Sequence, residues 1–168
     1  MQGAIRCRGT NPALRRGQGG SMTLLLALDI HDGAEELLGS AVTWAQTLGA
    51  KLDVAYVDEY DHYTYAMGEV ALQPVLDKQW VKVREDNQAR LEALVATIPG
   101  AHRGKPLMLF GRAYVEIAAI TEAEGHDAVI VGTHGRQGLQ HLLLGSVAER
   151  VVRQAPCPVI VIRMSSAA

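Results

Sequence analysis

Apolar residues recur along this chain in two rhythms. Short continuous runs alternate with longer segments in which every third or fourth position is apolar. Residues 23–28 form such a run, of the kind that fits a strand buried on both faces. Asp32, with Glu35 three residues on, predicts a helix start. Leu37, Leu38, Ala41, Val42, Ala45 and Leu48 follow at helical spacing. Gly49 then occupies the position where a helix end takes a left-handed residue. Residues 52–57 read as the second strand, so the chain opens β-α-β with a right-handed crossover.

The same alternation continues. Residues 58–73 are polar and aromatic and read as a long loop. Residues 74–98 carry Leu76, Trp80, Val83, Leu91, Leu94, Val95 and Ile98 at helical spacing, and Pro99-Gly100 closes that helix. A third strand is expected at 107–110 and a third helix at 113–124, with Val115, Ala118 and Ala119 inward and Gly125 at its end. Residues 128–131, 146–154 and 158–162 read as strand, helix and strand. Strands alternating with helices predict an α/β fold: one doubly wound, Rossmann-like, five-stranded parallel sheet with helices on both faces. No internal repeat marks a second domain. The organisation expected is a nucleotide-binding domain over 22–164, a disordered basic extension over 1–21 and a short tail over 165–168.

Composition narrows the function classes. The chain has 168 residues, 48% hydrophobic and 20% charged, enough for a core without disulfide or metal staples. A net charge of -2 argues against nucleic acid as partner, because such domains carry a basic surplus. The two cysteines, Cys7 and Cys157, form no CxxC pair, which points to a reduced, cytoplasmic chain. No apolar run is long enough to span a membrane. The first residues hold Arg6, Arg8, Arg15 and Arg16 with no acid before Asp29, and they lack the apolar stretch of a signal peptide.

The chemistry-bearing segment runs from Gly132 to Ser146. Gly132 follows the fourth strand; Gly135 comes after two intervening residues and Gly145 after nine more, directly before Ser146. Open α/β sheets bind ligands beyond the carboxyl ends of their strands. Glycines there let backbone N–H groups approach phosphate oxygens, and a helix opening at Ser146 offers free N–H groups and a positive dipole end. A plain structural reading competes: Ser146 and Glu149 have the spacing of a capping box, and Gly145 can simply make the turn before it. The segment is neither a Walker A loop nor GxGxxG. His134 suits a structural or ligand-contact role, and Arg136 lies either near the phosphates or exposed. His31 with Asp29 and Asp32 reads as a loop and helix cap more readily than as a metal site. Tyr60, Tyr63 and Tyr65 either lid the ligand or pack their loop. Cys157 reads as a small buried apolar residue.

The segments Val131-Gly132-Thr133-His134-Gly135-Arg136, Leu142 to Val152 and Ala155-Pro156-Cys157-Pro158-Val159 resemble the C-terminal signature of the universal stress protein family. Upstream, Gly111-Arg112-Ala113 resembles that family's Gly-x-Pro with Ala113 in place of proline. Leu26-Ala27-Leu28-Asp29 resembles its first strand, with Ala27 where proline is common. The resemblance implies an ATP-binding regulatory protein, probing nucleotide state as a dimer, with Mg2+ accompanying the ATP. Asp29 and Ala27 would lie at the adenine end, and Val57 would meet the base through its backbone. Gly132 and Thr133 would adjoin ribose and phosphates, with His134 and Arg136 beside them. Gly135, Gly145, Ser146 and Val147 would hold the phosphates. The implied homodimer pairs through the last strand, Val159, Ile160, Val161 and Ile162, with a regulatory partner still to be named. No catalytic residue is assigned. The alternatives are a slow ATPase or nucleotidyl-transfer enzyme of the same fold, and a scaffold dimer without nucleotide.

Overall fold

The computed structural model describes residues 21–31, 33–59, 73–133 and 145–164. Among the described residues five strands and four helices alternate: β1 Thr23–Ala27, α1 Ala34–Leu48, β2 Lys51–Asp58, α2 Gln73–Ala96, β3 Arg103–Phe110, α3 Ala113–Glu124, β4 Ala128–Gly132, α4 Ser146–Gln154 and β5 Val159–Ile162. The sheet is parallel throughout, in the order β3-β2-β1-β4-β5. The chain therefore builds outward from β1 through β2 to β3, then returns to build β4 and β5 on the other side. The switch falls between β1 and β4, where Ala27 faces Val131.

Alternation along the strands sorts side chains between two cores. Leu24 and Leu26 pack with Leu37, Leu38, Leu91 and Ile98 from the α1 and α2 side. Leu25 points the other way, to Ile117 of α3 and Val151 of α4. All three leucines are fully buried, which is why β1 reads as an unbroken apolar run.

The elements are of the expected kinds, and the differences have local causes. Helix α1 begins at Ala34 behind Gly33, which is left-handed (φ 70°), and no side chain caps it. The expected cap at Asp32 lies outside the described residues, and the cap position itself belongs to Gly33. Gly49 ends α1 as expected, with φ 62°. The carboxyl half of α2 packs on the sheet: Leu91, Leu94 and Val95 are buried, whereas Val83 is exposed despite its place in the helical spacing. Strand β3 starts four residues early. Gly104 and Pro106 look like strand breakers, but β3 is an edge strand, where proline is tolerated, and its register slips by one residue between Leu52 and Val54.

Helix α3 has the expected bounds and a different phase. Its inward residues are Ala113, Ile117 and Thr121, while Val115 is exposed and Ala118 and Ala119 lie off the buried stripe. Thr121 is acceptable inside because its hydroxyl donates to the Ile117 carbonyl at 2.6 Å. Gly125 closes α3 at φ 71°.

Candidate functional site

The carboxyl ends of β1, β2 and β4 bring Ala27, Asp29, Val57, Gly132 and Thr133 to one edge of the sheet. Just beyond β1, the Asp29 carboxylate accepts the His31 N–H at 3.1 Å. This local turn directs the chain toward α1. The His31 ring stacks edge-on against Tyr56, with centroids 6.1 Å apart, and no group of three or more metal-ligating side chains occurs among the described residues. At the end of β2, the Asp58 carbonyl accepts the Gly111 N–H at 3.2 Å, and the Glu59 carboxylate accepts the Ala113 N–H at 2.7 Å. Glu59 thus serves the first N–H of α3 that a proline at Ala113 would lack.

Thr133 is the junction of the site. Its N–H donates to the Ile162 carbonyl at 2.9 Å, and its carbonyl accepts the Gly145 N–H at 2.8 Å. Its hydroxyl accepts the Met164 N–H at 3.2 Å. These three bonds tie the end of β4 to the exit of β5 and to the start of α4. The amino end of α4 is therefore fixed beside the switch point, although the residues between, including His134, Gly135 and Arg136, lie outside the described set. Tyr60, Tyr63 and Tyr65 lie outside it too.

At that helix end the structure separates readings that spacing leaves open. Gly145 occupies the cap position, with no side-chain cap hydrogen bond, and Ser146 is the first helical residue. The Gly145 carbonyl accepts the Glu149 N–H at 2.9 Å, while the Glu149 carboxylate pairs with Arg153 at 3.0 Å. The capping box that the Ser146–Glu149 spacing would allow, the competing structural reading, does not form. Ser146 and Val147 are instead exposed at a helix end whose first-turn N–H groups have no intrahelical acceptor.

The glycines at the site differ in what requires them. Gly145 has φ -55° and ψ 150°, extended backbone open to any residue, so its conformation does not demand glycine. A Cβ on Gly132 would lie 3.2 Å from side-chain atoms of both Leu37 and Met164; packing suffices to explain glycine there. Cys157, expected to be buried, is partly buried against the α3–α4 core, and that burial pushes its thiol up to about 11, which keeps it protonated and a poor nucleophile at neutral pH.

Sequence reasoning missed one polar cluster altogether, at the opposite edge of the sheet: Asp53 and His126, both buried. The available signal was an aspartate inside an apolar strand, Leu52-Asp53-Val54, because a buried charge requires a partner. Burial alone would raise the Asp53 carboxyl, yet hydrogen bonds from His126 and the Lys105 N–H outweigh it and hold the group below its ordinary value.

Comparison with known proteins places these features in a family. The family model described as Universal stress protein family matches residues 21–163. A universal stress protein of Thermus aquaticus is 33% identical over 141 residues, covering 84% of this chain and 98% of that protein. Among solved structures, universal stress protein UspA from Lactobacillus plantarum superposes with a TM-score of 0.63 at 27% identity, covering 84% of this chain and 97% of the other. The universal stress protein from Archaeoglobus fulgidus in complex with dAMP shares the fold, with a TM-score of 0.52 at 20% identity over 83% of this chain and 96% of that one.

Proposed function

The chain belongs to the universal stress protein family, and from that premise we propose that it is an ATP-binding regulatory protein whose nucleotide sits at the β1–β4 switch point. The observation that carries this reading is Gly145: a glycine its backbone angles do not require, placed before a helix end that exposes Ser146 and Val147. Phosphate oxygens fit such an end, which supplies unpaired N–H donors and a positive dipole. The Gly145 N–H is already taken by Thr133, so the donors assigned to phosphate are the N–H groups of the first α4 turn and the Ser146 hydroxyl. Asp29 and Val57 stand at the strand ends where the base would lie, and Gly135, His134 and Arg136 complete the loop in this reading. Mg2+ would accompany the phosphates. That a family structure holds dAMP supports an adenine nucleotide over other anions. The protein acts by binding and, in this reading, as a homodimer joined through β5.

Calorimetric titration with Mg-ATP tests the reading. Ser146→Ala should weaken binding roughly ten- to a hundredfold, the loss of a hydrogen bond to a charged group worth about 1.5–3 kcal/mol. Because Ser146 makes no cap bond, its melting temperature should stay that of the wild type. Gly145→Val, compatible with the backbone, should fold and bind no ATP. Equal affinity in all three proteins would remove the site.

A further inference from the structure

The amino edge of the sheet, at the pole away from the crevice, holds a buried acid–imidazole pair. Asp53 of β2 accepts the Lys105 N–H on Oδ1 at 2.7 Å and meets His126 Nε2 on Oδ2 at 3.1 Å. The side chains are nearly sealed, 1% exposed for His126 and 6% for Asp53. His126 Nδ1 is buried and has no hydrogen-bond partner among the described residues. Beside the pair lies a cavity of about 320 Å³, lined by His126 itself and by Lys51, Arg103, Lys105 and Glu124 among others.

We propose that the Asp53–His126 pair is a proton-operated clasp: it closes on the neutral imidazole, and protonation of His126 turns the ring out of its niche into the adjoining cavity, loosening the corner where α3 passes into β4. A carboxylate only accepts hydrogen bonds, so the closed pair fixes the proton on Nε2 and leaves Nδ1 a lone pair. A second proton must go to Nδ1, where it creates a buried, charged N–H with no acceptor among the described residues.

The surrounding charges do not relieve it. Asp53 from β2 already serves Lys105 N–H and Nε2. Glu124 from α3 is held by Lys105 Nζ at 2.8 Å. Asp127, ahead of β4, accepts the Thr23 N–H at 2.8 Å. Lys51 of β2 and Arg103 and Lys105 of β3 add positive charge around the cavity. The attraction of Asp53 for an imidazolium acts the other way, but it operates on a buried pair, where desolvation consumes much of the Coulombic gain. In the cavity the same ring reaches solvent, with Glu124 at hand. The corner that would loosen is held by the Gly125 and His126 N–H groups, both on the Thr121 carbonyl at 3.1 Å, and by Asp127 N–H on Thr23 at 2.9 Å.

Hydrogen exchange of the full chain, corrected for intrinsic rates, tests the clasp. The opened ring, in solvent, can take the proton that the closed pair excludes, so opening should become about tenfold more frequent between about pH 7.5 and 5.5. The amides of Gly125, His126, Asp127 and Lys105 should lose about that factor of protection, while those of α1 do not. His126→Gln keeps a donor for Asp53 without taking a proton, and should abolish the pH dependence. Unchanged or increased protection at the acid end in the wild type overturns the proposal. Should the glutamine variant not fold, nitrogen NMR of the wild-type imidazole decides: loss of the neutral Nε2–H signal together with Lys105 protection is expected, and an imidazolium formed while that protection persists overturns it.

Discussion

Gly104 is a glycine because of what surrounds it, whereas the backbone angles of Gly145 leave its identity open. A Cβ on Gly104 would overlap the Asp53 carboxylate and the Leu52 carbonyl: the slipped register of β3 turns the Lys105 N–H toward Asp53, and that carboxylate fills the space where a side chain would be. Gly104→Ala should therefore cost about 1–3 kcal/mol, the usual penalty of overpacking, read from the midpoint of chemical denaturation with an unchanged slope. Loss of less than a few tenths would mean that the bulge yields freely. At this scale the sequence was partly legible. Gly145-Ser146 stood out in the sequence through their spacing from Gly132 and Gly135. Asp53 and His126 did not, because their meaning lies in each other, 73 positions apart, and spacing along a chain carries no trace of that.

Elements were legible in kind and less so in phase. The glycines that end α1 and α3 were readable because a left-handed residue has few alternatives. The inward face of α3 was not, because an alanine-rich helix offers several near-equal stripes and neighbours choose among them; here Thr121 joined the buried one through its bond to Ile117. The start of α3 also departs from the proline expected of its motif. Ala113 has a free N–H, and Glu59 accepts it. Glu59→Ala should lower stability by about 1 kcal/mol, as loss of a cap does. Ala113→Pro suits a first helical position and removes the donor, so in that background Glu59→Ala should cost almost nothing. A double-mutant cycle by thermal unfolding measures the coupling; additive losses would show that Glu59 acts elsewhere.

For the whole molecule, the strand pattern alone implies a parallel sheet, while the order of its strands came only with the structure. That order makes β5 an edge, and its side chains divide: Val159 packs against the α3–α4 core, whereas Val161 on the same face is 39% exposed. An apolar edge strand invites pairing. If β5 joins two copies, Val161→Lys should give a folded monomer, since it removes no core contact; sedimentation of a wild type already monomeric at micromolar concentration would end that reading. The same strand order bears on how the protein is born. β1 lies between β2 and β4, and Thr23 meets Asp127 across 104 positions of sequence. Emerging from a ribosome at about 5–20 residues per second, β1 waits roughly 5–20 seconds for that neighbour. During that interval Leu24, Leu25 and Leu26 have one flank unsatisfied, and the nascent chain is most in need of a chaperone before its signature segment has been translated.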